Sequence, residues 1–460
     1  MTIGNIPKHI RRKPSRQGQI LLAYLPTSKL GHITNKASRR RCLSNLFHYC
    51  MKTILKPLEK AGRDGIELVS GDGAVRRCYP ILAAYVGDYP EQVLVSIVKS
   101  GNCPICPAPR DDIGSWDHIL GPRDTDRIIT TLNSISQGAT EFTKACATEG
   151  IKPVQCVFWK DLPYINIYSS IMPDILHQLF QGILKHLIAW IRLACGDAEI
   201  DARCRRLPPN HHIRLFMKGI CHLSRVTGSE HNQISQFLLA LVADIRLPSG
   251  HSNGKLIRSV RAVLDFIYLA RYPIHTSETV DQMHDALHAF HLNRDIFISL
   301  GIREHFNIPK LHNAGHYHQF VQLYGTADNF NTEYTERLHI DLAKDAYAST
   351  NFKDEFPQMT SGSIARSVSC TMKNTFIVVW IHPSINHFMS SNLFHPWFHI
   401  VTSKWQNTPR IEVYQSRIFV QNTVPQIFFQ LFLDSLYNIS IQTTLKRRFK
   451  LYLNRFMSLF

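Results

Sequence analysis

Residues 66–90 read IELVSGDGAVRRCYPILAAYVGDYP, and this stretch decides the fold class. Two runs rich in β-branched and apolar residues, 66–70 and 75–86, flank Gly71-Asp72-Gly73. Runs of that length around a glycine-rich break read as strands joined by a turn. Upstream, the apolar run 19–25 closed by Pro26 reads as a buried strand. Between them, Leu46, Cys50, Ile54, Leu55 and Leu58 recur mostly at three- and four-residue steps. That spacing predicts a helix over 44–61, kinked at Pro57 and stopped by Gly62 and Gly65. Strand, helix, strand, strand is the rhythm of an α/β domain with one sheet.

Working outward, residues 103–140 are rich in prolines, glycines and charges and read as loop. Ile175, Leu179, Ile183, Leu187 and Ile188 form one stripe and predict an amphipathic helix over 174–193. Further helices are expected at 210–225, 230–245, 258–271 and 277–299. Another, over 336–348, has Leu338, Leu342 and Ala346 on its inner face. After about Met359 the texture changes to few charges and no clean period. The expected organisation is a partial sheet domain over 1–102, a connector over 103–173 and an all-α insertion over 174–325. A closing helix over 326–360 and an irregular tail over 361–460 complete it.

The charge balance narrows the function classes. Lysine and arginine number 52 against 35 acids, a net charge of +17. The bases cluster at Arg11-Arg12-Lys13, Arg39-Arg40-Arg41, Arg205-Arg206 and Lys446-Arg447-Arg448. Clustered cations on a globular chain favour a polyanion such as DNA, because binding releases counterions condensed on the phosphates. The odd count of 11 cysteines without a secretory signal predicts reduced thiols. The most apolar runs are well short of a membrane span.

Four short segments carry the candidate chemistry. Asp88 follows an apolar run and precedes Tyr89-Pro90, either as a metal ligand at a strand exit or as a helix cap. Cys103-x-x-Cys106 has the spacing of half a tetrahedral zinc site, with two unpaired thiols as the plain alternative. His118, or Asp174 with His177, is the expected completion. Asp174-x-x-His177 places both side chains on one helical face, as metal orienter, brace or cap. Glu333 and Glu336 sit three apart on a predicted helix, as metal ligands or as a solvated, salt-bridged face. The segments around His211, His212 and Arg214, and around Lys310 and His312, suit phosphate contacts. The many histidines read as structural or DNA-contacting, since no two form a recognised ligand pair with a third nearby.

Taken in order, residues 76–92, Pro173–Leu179, 301–310 and 331–347 closely resemble the Plavaka transposases of fungal DNA elements, which look related to the CACTA-like superfamily. The resemblance covers roughly residues 1–360. It implies an RNase H-like core carrying a DDE/D triad, interrupted by a helical insertion and using Mg2+ or Mn2+. Asp88 matches the second carboxylate, Asp174 and His177 the D-x-x-H motif, and Glu336 the third carboxylate, with Glu333 as runner-up. The first carboxylate has no counterpart, because its strand would precede Thr2–Ile6. The expectation is therefore a truncated, transposase-derived nuclear protein that binds transposon-end DNA, self-associates, lies outside the membrane and is catalytically inactive. A non-catalytic nucleic-acid-binding module that keeps only the basic surface is the alternative. Asp88 and Glu336 are expected within about 10 Å of each other, a span two metal ions bridge.

Overall fold

The computed structural model describes residues 1–362 except 14, 15, 17, 26–28, 71 and 354, together with 401–402 and 412–413. The described residues are mostly helical, and their strands form two small two-stranded sheets. Two compact units emerge. The first holds Met1–Ile66 and Tyr79–Thr335, and the second holds Glu67–Cys78 and the described residues from Glu336 onward.

In the first unit, helix α1 spans Lys36–Asp64, longer at both ends than its periodicity implied. Asn35 caps it by accepting from Ala37 N and Ser38 N, and Gly65, at φ 77°, ends it. Pro57 lies inside, while Leu55, Leu58 and Ala61 are buried. Residues 19–25 are not a strand; Ile20 N bonds to Met1 O, and no ladder forms. A lone apolar run without a neighbouring edge to pair with stays irregular.

The long strand expected over 75–86 ends at Cys78. Beyond Pro80, which has no backbone donor, only Tyr85 pairs, in a parallel bridge to Ile171. Tyr85 N donates to Ser170 O at 2.7 Å, and Met172 N returns a bond to Tyr85 O at 3.0 Å. Asp88 then caps α2 (Tyr89–Val95), with Pro90 in its first turn. The connector contains two helices that the turn residues concealed, α3 (Thr125–Asn133), capped by Asp124, and α4 (Ala139–Thr148).

The strong stripe predicted from 174 is helix α5, which is π-helical over Ile175–Leu184 and α-helical over Lys185–Cys195. It is followed by α6 (Asp197–Arg205), α7 (Gly228–Val242), α8 (Asn253–Ala270) and α9 (Ser277–Asn293). Thr227 with Glu230, and Thr276 with Thr279, form capping boxes at α7 and α9. No helix forms over 210–225. Gly219, at φ 81°, turns the chain there.

That turn is held by buried Asp201, whose carboxylate accepts from Ile220 N at 2.8 Å and Cys221 N at 3.0 Å. A Cβ on Gly219 would fall 2.0 Å from Asp201 Oδ1. Gly219→Ala is therefore expected to cost about 2 kcal/mol or more by urea denaturation. Gly4→Ala, with nothing within 4 Å, is expected to cost nothing measurable.

Short helices α10 (Pro309–Ala314) and α11 (Tyr317–Tyr324) follow, and α12 (Thr332–His339) leads out of the unit. One hydrophobic cluster runs from Leu55 to Phe330. It buries Trp159, Tyr168, Phe266, Phe290, Phe297 and Tyr317 almost completely.

In the second unit, Val75–Cys78 pairs with the strand Ile66–Val69 that leads into the unit. Asp72 lies in the connecting turn and pairs with Arg76 at 2.7 Å. Past α12 the chain continues through a π-helical turn, Ile340–Lys344, into Asp345–Ala348, with Ala346 buried as its spacing implied. Val401 pairs with Val413, and Thr402 with Glu412, in an antiparallel pair. The rest of the expected tail over 361–460, beyond 362, lies outside the described residues.

Candidate functional site

The parallel bridge between Tyr85 and Ile171 sets the register of two acidic residues. Asp88 stands three residues past one partner and Asp174 three past the other, at the same end of the pair. Buried Gln92 holds both segments just before their acids, donating to Gly87 O at 3.0 Å and Met172 O at 2.9 Å. Asp88 is half-buried, and its Oδ1 accepts from Glu91 N at 2.9 Å. The cap role is thus present whatever else the carboxylate does.

Asp174 is 1% exposed, and both its oxygens are engaged. Oδ1 accepts from Thr332 N at 3.0 Å and Thr332 Oγ1 at 2.8 Å. Oδ2 takes His177 N at 2.7 Å and lies 2.8 Å from both His177 Nδ1 and Thr332 Oγ1. Burial pushes its carboxyl up, but the His177 and Thr332 hydrogen bonds outweigh that and leave it below its ordinary value. Asp174 is therefore ionised and saturated.

Lys310, on α10, donates to His177 O at 2.8 Å, and its stem packs where a Cβ on Gly182 would fall. Burial lowers its pKa, while Asp88 and Asp174 act in the opposite sense, so the ammonium senses both acids. A cavity of about 10 Å³ beside it is lined by Gly87, Asp174, His177, Lys310 and Asn313 among others. That volume holds about one water.

The same short helix reaches a second cluster. Cys103, Cys106, His312 and His316 are all buried, with ligand atoms within 4.8 Å of one another. Cys106 Sγ lies 3.1 Å from His312 Nε2, and Cys103 Sγ lies 3.5 Å from His316 Nε2. Bond lengths of about 2.0–2.3 Å to a central zinc put tetrahedral ligands roughly 3.3–3.8 Å apart, so these donors fit. His312 Nδ1 faces Ile113 O at 2.9 Å, which fixes the tautomer that leaves Nε2 free for metal. The N–H groups of Ile105 and Cys106 both reach Cys103 Sγ at 3.4 Å, as in a thiolate knuckle. Burial pushes the Cys103 thiol up. The hydrogen bond from Cys103, helped by His312 and His316, holds Cys106 well down.

The expected completion of this set is corrected. His118 pairs with Asp112 at 3.0 Å and offers only its carbonyl towards Cys106. Asp174 and His177 are engaged with Thr332. The histidines lie more than 200 residues from the cysteines, beyond the reach of any local spacing rule. The His312-x-x-x-His316 spacing, which completes Cys2His2 sites, was the available signal.

Glu333 is exposed near Asn331, 3.2 Å from its side-chain amide, and Glu336 is exposed in the second unit. Arg11 is 7% exposed and donates to Asn329 Oδ1 at 2.9 Å, while Arg12 pairs with Asp328 at 3.0 Å. Those two cations clasp the loop before α12, whereas Lys13, His211 and His212 are exposed. Arg214 is exposed too, paired with Glu230. No helix among the described residues is long and apolar enough to cross a membrane.

No curated protein matches the chain. The family model described as Plavaka transposase matches residues 1–191, which carry Asp88, Cys103, Cys106, Asp174 and His177.

Proposed function

We propose that the chain is a transposase-derived, nuclear, DNA-binding protein whose ancestral chemistry is metal-dependent cleavage and joining of transposon ends. The observation that carries the reading is the family match over the residues that bear Asp88 and Asp174. The parallel pairing that ends in these two acids supports a remnant of an RNase H-like sheet, with the helices after residue 174 as its insertion. Asp88 and Glu336, with Glu333 as runner-up, are the carboxylates this reading assigns to Mg2+ or Mn2+. Such an ion, when bound, activates water and neutralises phosphate charge. Asp174 is not available to share that task, since both its oxygens are taken.

The reading expects DNA binding without turnover, because a lone half-buried carboxylate at the paired ends holds a metal pair weakly. Supercoiled plasmid with Mn2+ tests it. Binding that weakens at least about tenfold between 50 and 200 mM salt, with no nicking, is the expected result. Nicking lost in both Asp88→Ala and Glu336→Ala would show that the chemistry is retained. Binding indifferent to salt would remove the DNA reading altogether.

Cys103, Cys106, His312 and His316 are, in the same proposal, a structural zinc site. The support is four buried donors converging with no open position implied by the ligand set.

A further inference from the structure

We infer that Asp174 and His177 are positioning residues: a latch that fixes the first turn of α12, the helix bearing Glu333, and not ligands of a metal ion. The inference rests on the reading of that helix as the carrier of a metal-binding carboxylate. Its evidence lies elsewhere, in how Asp174 is used.

A carboxylate available to a metal keeps lone pairs free. Asp174 spends its own on Thr332 N, Thr332 Oγ1, His177 N and His177 Nδ1, inside a pocket that leaves it 1% exposed. Thr332 is the first residue of α12, and its N–H is one of the donors a helix start leaves without an intrahelical partner. Asp174 therefore caps two helices at once: its own α5 through His177 N, and α12 through Thr332. His177 closes the triangle, with Nδ1 3.1 Å from Thr332 Oγ1.

The latch is braced from behind. The π-helical turn of α5 presents His177 O to Lys310, and Gln178 Nε2 reaches Lys310 O at 3.4 Å. Lys310 and His312 share α10, so the Cys2His2 cluster anchors the helix that braces the latch. From the other side, Arg11 and Arg12 hold Asn329 and Asp328, three or four residues before Thr332. Three separate devices thus converge on the start of one helix.

Hydrogen exchange on the 460-residue chain tests the latch. In Thr332→Val, which keeps the shape and removes the hydroxyl, amides of residues 333–339 are expected to exchange at least tenfold faster. The α7–α9 amides should be unchanged, and Thr332→Ser should restore the wild-type rate. Equal exchange in Thr332→Val and wild type overturns the inference. If Thr332→Val does not fold, His177→Ala serves, with the same expected rise and the same overturning result. Mn2+ binding followed by electron paramagnetic resonance supplies the second arm. Positioning predicts weaker Mn2+ binding in both Asp174→Asn and Thr332→Val. Loss in Asp174→Asn alone would make Asp174 a ligand and overturn it. A wild-type protein that binds no Mn2+ removes the metal reading, while the exchange result still decides the latch.

Discussion

Purified protein is expected to carry one tightly held zinc, and each of Cys103→Ser, Cys106→Ser, His312→Ala and His316→Ala is expected to lose it. The four donors come from a loop and, more than 200 residues downstream, from α10 and the residue just before α11, so the ion ties distant parts of one core together. Removing one ligand leaves three polar groups buried without their common partner. The expected cost is roughly 3–5 kcal/mol, below the figure for isolated zinc fingers because the apolar core from Leu55 to Phe330 persists. Elemental analysis with chelator-dependent denaturation checks this. His118→Ala is the control and should keep full zinc. An absence of zinc in protein purified without chelator would return Cys103 and Cys106 to plain buried thiols.

The second large effect is acid lability centred on His48. This ring is fully buried on α1, stacked on Phe158 at 5.6 Å. Its Nε2 bonds to Leu94 O at 3.1 Å, so Nε2 carries the proton, and Nδ1 is buried with no hydrogen-bond partner among the described residues. Burial lowers its pKa from 6.5 to about 4, with Lys152 adding to the shift and the Leu94 bond opposing it. The folded state therefore holds the neutral ring, while the unfolded chain takes up a proton near the ordinary value. The stabilisation is complete above 6.5 and erodes as pH falls towards about 4. At pH 5 the loss amounts to about 2 kcal/mol.

Burial of His291, whose pKa falls to about 3, acts in the same direction. Urea denaturation of wild type at pH 7.5 and pH 5 should show the drop. His48→Gln keeps a donor for Leu94 O without a titrating ring, so it should lose about 2 kcal/mol less between the two conditions. Equal pH dependence in both proteins would sink the assignment.

Much of the helical part was legible from side-chain period alone. The stripe of Ile175, Leu179, Ile183 and Leu187 is buried as its spacing demanded, and the helices near 230–245, 258–271 and 277–299 stand within a few residues of their predicted bounds. The sheet was over-read. Residues 19–25 and 79–84 have the apolar content of strands, but a strand exists only where a second edge satisfies its backbone. Over 79–86 that edge is present for Tyr85 alone, through Ile171. The helix over 210–225 is broken locally, where Gly219 takes a positive φ.

The candidate site divides the same way. Residue type and short-range spacing carry the local chemistry: the Cys-x-x-Cys half-site, the cap at Asp88, the nearness of Asp174 to His177 and the basic balance. Each follows from residue type and short-range spacing, which the backbone period converts directly into direction. Long-range packing sets partnership. It assigned His312 and His316 to the cysteines, spent Asp174 on Thr332, and turned Arg11 and Arg12 inward onto Asn329 and Asp328. Those partners lie 158 to more than 300 residues away in sequence. Local propensity carries no information over such separations; the burial of one shared core brings them together.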